Sequence, residues 1–316
     1  MRNFIIKVIS AVFILAIIVL GINKLYVYMD KKDLDYTRKF RSVPNEIQIC
    51  NTGSSHGLYG FSYEDLNSEY NGFNFGLQSQ SLLYDKRILE HYKDNLADDA
   101  VVFIPVSYFV LYGQTENLEA DFESKNQRYY KFLPRKLITD YDWKTAILQK
   151  CPLISAYENI AHVFLGRSVA STDLWEMQTA DNIDLSLDVE AAYKRHIVTN
   201  KIDENGNRII NYDNLNSLYD MIEFCKDIGV RPVLLTTPFL REYIDAIQKG
   251  SPEFFNEFYE LLNEVIEETG VEYYDYSQDG RFIDEHSLFM NGDHLNKSGA
   301  TYFSRILVEE VINNKK

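Results

Sequence analysis

The sequence is poor in cysteine. Its 316 residues contain three, Cys50, Cys151 and Cys225, with no CxxC pair and no histidine at a spacing suited to zinc. An odd number of widely separated cysteines argues against a disulfide framework, so we interpret all three as buried thiols that pack as small apolar residues. The sequence predicts neither a metal site nor any other cofactor.

The chain is also short of positive charge. Lys and Arg number 32 against 47 Asp and Glu, which gives a formal net charge of −15. Nucleic acid is not an expected partner because its phosphates require a positive face, and broad docking on an anionic bilayer surface is not expected either. With 46 % hydrophobic and 25 % charged residues, the composition is that of a globular protein.

One long apolar run stands out, at residues 4–22, where Lys7 is the only charged side chain. About 20 apolar residues suffice for a helix to cross a bilayer. A cleaved signal peptide is the alternative interpretation, but the run lacks a clean A-x-A site and apolar, aromatic residues continue to Met29. We therefore predict a retained single-pass signal anchor in the cell membrane. Arg2 and Lys7 precede the run, which favours an extracytoplasmic body.

The body alternates short apolar runs with amphipathic segments, the pattern of a parallel sheet covered on both faces. The predicted fold class is α/β, a flavodoxin-like three-layer α/β/α arrangement with a five-stranded parallel sheet. Strands are predicted at 47–50, 73–75, 101–105, 230–236 and 271–276, and helices at 82–96, 213–229, 252–270 and from about 297.

Residues 113–212 interrupt this rhythm, because one crossover helix needs far fewer residues. Helical patches at 129–138 and 143–165 suggest a mostly helical cap inserted in the sheet domain. The predicted organisation is a transmembrane anchor and start of a stalk at 1–32, the first part of the sheet domain at 45–112, the cap at 113–212, and the second part at 213–316.

Ser55 is the first candidate for chemistry. It follows the first predicted strand and lies between Gly53 and Gly57, at the carboxyl end of a parallel strand, where ligands bind in such sheets. The alternative is a Ser/Gly turn without a function. Residues 53–57 also match G-x-S-x-G, the nucleophile elbow of α/β-hydrolases, but we discount that motif. Helical periodicity resumes only near Tyr63, and an elbow normally follows several strands.

A second candidate segment, residues 291–296, precedes the last predicted helix. It reads Asn-Gly-Asp-His-Leu-Asn, so that His294 lies beside the carboxylate of Asp293. A histidine next to a carboxylate suits a general base with an orienting partner. Alternatively, Asp293 or Asn296 caps the helix and His294 is only a polar turn residue. Each segment strengthens the functional interpretation of the other, because both are expected at the carboxyl ends of strands in one sheet.

These two segments resemble the SGNH superfamily of GDSL-type esterases and acyltransferases. The resemblance covers roughly 45–110 and 213–312, and it implies that Ser55 is the nucleophile and His294 the base. It also implies an oxyanion hole from the backbone of Ser55 and Gly76, with Ser107 standing where the family usually has Asn. The family's D-x-x-H aspartate position holds Asn291 here, so the orienter of His294 is either Asp293 or Asn291.

Within the superfamily, the anchor and the two segments are similar to membrane-anchored cell-envelope proteins such as the D-alanyl transfer protein of teichoic acid synthesis. This resemblance implies an extracytoplasmic acyltransferase or esterase that forms an acyl-serine intermediate on a cell-envelope glycan or teichoic-type polymer. Such proteins often work beside a polytopic membrane-bound O-acyltransferase. The alternative is a non-catalytic glycan-binding or scaffold partner of that enzyme. Among the remaining histidines, His56 is expected to shape substrate access, and His196 and His286 to be structural.

Overall fold

The computed structural model describes residues 1–30, 36–66, 68–113, 126–155, 160–167, 175 and 178–315. Residues 31–32 of the predicted anchor segment and 114–125, 156–159, 168–174 and 176–177 of the predicted cap lie outside this description. The chain divides into two compact units. Met1–Arg41 and Glu119–Thr172 form the first, which we call the helical unit, and Ser42–Leu118 and Asp173–Lys316 form the second, the α/β unit. Residues 113–212 are thus shared between the units.

The α/β unit is built on a five-stranded, wholly parallel sheet of order β2-β1-β3-β4-β5. This is the flavodoxin-like order, and it confirms the predicted fold class. The strands are β1 Ile47–Asn51, β2 Gly72–Asn74, β3 Leu96–Pro105, β4 Arg231–Thr236 and β5 Glu272–Asp275.

β3 is longer than predicted. Leu96 pairs with Ile47, and the register shifts before Ile49 pairs with Val101, so the half-exposed start of the strand lacks the continuous apolar run that marks its buried part. The helix that precedes β3 ends at Tyr92 instead of the predicted Leu96, because Leu96 already belongs to the strand. From Ala100 onward β3 is buried, as a strand covered on both faces should be.

Helices cover both faces of the sheet. Helix α8 (Tyr212–Asp227) packs against α3 (Leu82–Tyr92) and α10 (Phe254–Thr269), and α2 (Ser55–Gly60) packs against α11 (Lys297–Leu307). Asp213, the predicted cap of α8, lies inside the helix, because Asn211 caps it by accepting from the backbone N–H of Asn214. Gly270 ends α10 as predicted, with a left-handed φ of 64°. Among the described residues, the helices of this unit are α2 Ser55–Gly60, α3 Leu82–Tyr92, α7 Leu185–Tyr193, α8 Tyr212–Asp227, α9 Arg241–Gly250, α10 Phe254–Thr269 and α11 Lys297–Leu307.

The helical unit contains α1 Arg2–Met29, a 28-residue helix long and apolar enough to cross a membrane. The patch at 143–165 forms no continuous helix. It contains α4 Trp143–Lys150, α5 Pro152–Ser155 and α6 Ile160–Phe164, and α4 ends before Pro152 because proline disfavours helical backbone in the residue that precedes it. The patch at 129–138 forms two 3₁₀ turns on either side of Pro134 rather than an α-helix.

Candidate active site

Ser55 is the first residue of helix α2, which begins three residues after β1 ends. The turn between them is tied down where Gly53, with a φ of 111°, donates its N–H to Asp85 Oδ1 at 2.7 Å. The expectation that no helix follows the serine directly is therefore wrong. α2 has only six residues, too few for a hydrophobic period to show in the sequence. The order of strand, turn and helix around Ser55 is that of a nucleophile elbow, but it follows the first strand instead of lying deep in the chain, and Ser55 has no left-handed φ.

Two asparagines at strand ends hold α2 in place. Asn51 Nδ2 donates to the carbonyl of Gly57 at 2.8 Å, and Asn74 Nδ2 lies 3.0 Å from the carbonyls of Gly57, Leu58 and Phe61. These carbonyls belong to the end of α2, where helical carbonyls lack intrahelical partners. The approach is so close that a Cβ on Gly57 would lie 2.1 Å from the carbonyl oxygen of Thr52. Sequence reasoning missed both asparagines.

The structure brings Ser55 and His294 together. His294 Nε2 lies 2.7 Å from Ser55 Oγ, within hydrogen-bond reach across 239 positions of sequence. The loop that holds His294 is closed by a bond from the Met290 N–H to the His294 carbonyl at 2.8 Å. Asn296 then caps α11 by accepting from the Gly299 N–H at 3.0 Å. Asn296 therefore caps the helix while His294 contacts Ser55, so the two interpretations of this segment do not exclude each other.

Both predicted orienters lie next to the other ring nitrogen of His294. Asn291 Oδ1 hydrogen-bonds to Nδ1 at 3.1 Å and also accepts from the backbone N–H groups of Asp293 and His294 at 3.3 and 2.9 Å. These donors fix which amide atom is the oxygen. Asp293 Oδ1 is as close to Nδ1, at 3.0 Å, yet none of the described groups makes an aligned hydrogen bond to it. Asn291 thus supplies the hydrogen bond, and Asp293 supplies the charge.

Asp293 is also surrounded by two further histidines. Its Oδ2 lies 3.3 Å from His56 Nε2 and 3.4 Å from His196 Nδ1, and all three residues are buried. His196 Nε2 accepts from Arg195 Nε at 3.1 Å, so the ring proton lies on Nδ1, where it faces Asp293 and the Tyr243 oxygen at 3.1 Å. His56 and His196, expected to shape access and to be structural, lie at the centre of the site.

Burial and charge set the ionisation of this cluster. Burial raises the pKa of Asp293, but electrostatic attraction to the His294 ring and the hydrogen bond from His56 outweigh it, and the pKa of the carboxyl lies well below its usual range. Burial lowers the pKa of His56, against the opposing pull of Asp293. It also lowers the pKa of His196 to about 3. At neutral pH His56 and His196 are therefore neutral rings whose N–H groups face the Asp293 carboxylate.

Two of the three predicted oxyanion donors, Ser107 and Gly76, have acceptors within the protein. Ser107 Oγ lies 2.6 Å from His56 Nδ1. Because His56 Nε2 faces the carboxylate and carries the proton, Nδ1 is a lone pair, and the Ser107 hydroxyl donates to it. The Gly76 N–H donates to Asn74 Oδ1 at 2.8 Å. Ser55 begins α2, so its backbone N–H lacks an intrahelical acceptor, as does that of His56.

Donor atoms of His56, Asp293 and His294 lie within 4.8 Å of one another, close enough among the described residues to surround a metal ion. A metal would need lone pairs on His56 Nε2 and His294 Nδ1. Both nitrogens instead face acceptors, the Asp293 carboxylate and the Asn291 amide oxygen. The donor set fits a hydrogen-bonded histidine–carboxylate cluster better than a metal site.

Neither a protein-family model nor a curated protein matches the chain. Among solved structures, it is similar to a protein provisionally named acylhydrolase from Bacteroides fragilis, at 12 % identity and a TM-score of 0.40 over 89 % of this chain and 95 % of that one. A protein provisionally named platelet activating factor, from Streptococcus pneumonia, matches at 13 % identity and a TM-score of 0.39. The match covers 95 % of this chain and 97 % of that one.

A variant of an acetyl-xylooligosaccharide esterase from Geobacillus stearmophilus matches at 9 % identity and a TM-score of 0.36, over 85 % of this chain and 96 % of that one. TM-scores below 0.5 do not establish a shared architecture. We therefore infer the function from the geometry of the site itself.

Proposed function

We propose that the α/β unit is a serine-dependent acyl-ester enzyme of SGNH type, with Ser55 as nucleophile and His294 as general base. The observation on which this depends is the 2.7 Å contact between Ser55 Oγ and His294 Nε2. Nucleophile and base within hydrogen-bond reach, with the base bonded on its far side to a third group, is the arrangement that activates a serine hydroxyl.

The proposed reaction has two displacements. His294 Nε2 takes the proton of Ser55 as Oγ forms a bond to the acyl carbonyl carbon, and the backbone N–H groups of Ser55 and His56 stabilise the oxyanion. His294 then returns the proton to the leaving alcohol as its C–O bond breaks, leaving an acyl-serine. A second hydroxyl, from water or a sugar, loses its proton to His294 as it attacks the acyl carbon. His294 then returns that proton to Ser55 Oγ as the acyl–Oγ bond breaks, which regenerates the serine hydroxyl.

The cluster around Asp293 supports this chemistry. Proton transfer makes His294 an imidazolium, and a buried carboxylate 3.0 Å from its Nδ1 stabilises that charge strongly because water screens it little. His56 and His196 face the carboxylate as neutral rings and add no competing positive charge. Asn291 holds the ring in the tautomer that presents a lone pair to Ser55.

The substrate and location are proposed from the resemblance and from α1. We infer an acyl ester on a cell-envelope glycan or teichoic-type polymer, a single-pass anchor with an extracytoplasmic body, and a polytopic membrane-bound O-acyltransferase as partner. The apolar helix α1 supports anchoring. Protease added to intact protoplasts should degrade the body, while full protection would place it inside.

The matched pair Ser55→Ala and Ser54→Ala tests the catalytic proposal. The full chain in detergent should hydrolyse an activated acetyl ester such as p-nitrophenyl acetate, Ser55→Ala should lose this activity, and Ser54→Ala should keep most of it. The non-catalytic alternative, a scaffold subunit with a degraded triad, is favoured by the amide at position 291 in place of a carboxylate. Equal background rates for all three proteins would support that alternative.

A further inference from the structure

The two units differ in charge. Met1–Arg41 and Glu119–Thr172 contain 16 basic and 9 acidic residues, whereas the rest of the chain contains 16 basic and 38 acidic residues. The net charge of −15 is therefore the sum of +7 on the helical unit and −22 on the α/β unit. The expectation against docking on an anionic bilayer rested on the net value, and it applies to the α/β unit only.

Asn23 of α1 forms hydrogen bonds to the backbone where α4 meets α5. Its Nδ2 donates to the carbonyl of Lys150 at 2.9 Å, and its Oδ1 accepts from the N–H of Leu153 at 3.2 Å. One turn later, Tyr26 is buried, with its ring edge-on to Phe164 at 6.2 Å. The junction of α4 and α5 and the end of α6 thus contact α1 between residues 23 and 26.

That level coincides with the end of the apolar run. The run covers residues 4–22, and the next charge is Lys24. A helix rises about 1.5 Å per residue, so the 28 residues of α1 extend several residues beyond the roughly 20 that span the hydrocarbon of a bilayer. If α1 spans the bilayer, Asn23 lies where hydrocarbon gives way to headgroups, and α4 and α5 are held there.

The short helices expose large apolar side chains at this level. Trp143, 62 % exposed, and Ile147 lie four residues apart on one face of α4, while Ala146 is buried. Lys144 and Lys150 of the same helix are exposed, which gives tryptophan and lysine on one short helix, as in interfacial helices. The exposed large apolar side chains of α4 to α6 and the residue after α6 are Trp143, Ile147, Leu148, Ile154 and Leu165.

We propose that α4, α5 and α6, here called the juxtamembrane helices, dock on the surface of an anionic phospholipid bilayer. Trp143 lies at the boundary between headgroups and acyl chains, and Lys144 and Lys150 contact the lipid phosphates. The proposal depends on the membrane anchoring of α1 proposed above and is independent of the serine chemistry. Apolar anchors combined with basic side chains suit a lipid surface, and a positive unit offsets the repulsion that the acidic α/β unit meets there.

The two tryptophans, Trp143 and Trp175, allow a direct test. The full chain with Trp175→Phe, reconstituted in vesicles of phosphatidylcholine and phosphatidylglycerol, reports Trp143 alone. We expect blue-shifted emission and strong quenching by lipids brominated in the upper part of the acyl chain. The Trp143→Phe chain reports Trp175 of the α/β unit and should be quenched far less. In pure phosphatidylcholine, quenching of Trp143 should weaken.

Replacing both lysines, Lys144→Glu with Lys150→Glu, should abolish most of the Trp143 quenching while the chain stays in the membrane after alkaline extraction. Extraction of the unmodified chain would overturn the anchoring on which the proposal depends. If the chain is anchored but Trp143 is unquenched in vesicles of either composition, the proposed docking on lipid is wrong. It is also wrong if Trp143 becomes shielded from solvent only when a membrane protein is added. Hydrolysis by Ser55 is expected to continue in every variant, so the two proposals fail separately.

Discussion

The hydroxyl of Ser107 lies 2.6 Å from Nδ1 of His56, and the opposite nitrogen of that ring lies 3.3 Å from Asp293 Oδ2. A second serine–histidine pair therefore meets the carboxylate that accompanies Ser55 and His294. Ser107 and His56 are both buried, whereas Ser55 is partly exposed. We interpret Ser107 and His56 as positioning residues that hold Asp293, not as a second nucleophile and base.

Ser107→Ala separates this interpretation from the oxyanion role that the resemblance implies. Removing the hydroxyl leaves His56 Nδ1 buried without its donor, which should cost about 1–3 kcal/mol in the free energy of unfolding. The value of kcat should change by less than about tenfold, because an oxyanion donor is worth about 10²–10³ in kcat. A loss of that larger size with unchanged stability would show that Ser107 donates to the oxyanion.

Asp293→Asn and Asn291→Ala rank the two orienters. We expect Asp293→Asn to lower kcat by about 10³–10⁴, because the imidazolium loses its carboxylate, as when an orienting aspartate is replaced in a triad. Asn291→Ala should lower kcat less, since the carboxylate stays 3.0 Å from Nδ1. Steady-state kinetics on an activated ester, with circular dichroism to verify folding, decides the order. A greater loss for Asn291→Ala would make the amide the principal orienter.

Acid should destabilise the α/β unit through His196. Burial lowers its pKa to about 3 in the folded chain from the ordinary value of 6.5, so between these pH values the unfolded chain binds the additional proton. Stability is then highest above pH 6.5 and falls toward pH 3, by about 1.4 kcal/mol per pH unit for one proton. Asp293, with a depressed pKa, adds a loss in the same direction at lower pH.

The control for this effect is His196→Gln, which cannot titrate. Denaturant unfolding between pH 4 and 6 should show a shallower pH dependence for the variant, by roughly one proton. Identical slopes would mean that His196 titrates normally in the folded chain.

Gly57→Ala tests the close approach that places Ser55. An added Cβ would lie 2.1 Å from the carbonyl oxygen of Thr52, so the backbone must move, at a cost of about 1–3 kcal/mol or more. Gly280→Ala is the matched control, because nothing lies within 4 Å of its added Cβ. Thermal unfolding should separate the two variants clearly. Equal stability would contradict the packing of α2 on β1.

Much of the fold could be predicted from local patterns. The strand β4 is an apolar run, β1 alternates apolar and polar residues before a turn, and β5 follows Gly270 directly. Helix α8 combines a helical period with an asparagine cap, and α10 combines a helical period with a terminal glycine. Helix α9 was missed although Tyr243, Ile244 and Ile247 are spaced to face the core. Helix α2 could not be found in this way, because it is held by the tertiary bonds of Asn51 and Asn74.

Some residues of the site could likewise be predicted from local sequence patterns, and others could not. Ser55 and His294 were accessible to sequence reasoning because each follows a strand of one parallel sheet, and parallel strands end at one edge. His196 was not accessible. It lies in a π-helical turn, Lys194–Val198, after α7, and only the fold brings it within 3.4 Å of Asp293. Its partner Arg195 gives no local signal of this role either.

Labelling with a serine-directed fluorophosphonate tests the proposed nucleophile most directly. The full chain in detergent should gain one phosphonyl group, located on Ser55 by peptide mass spectrometry, because only a serine activated by its base reacts. Labelling should disappear in Ser55→Ala and in His294→Ala and persist in Ser54→Ala. An unlabelled chain, or a label on Ser54 or Ser107, would contradict the assignment of Ser55 and His294 as nucleophile and base.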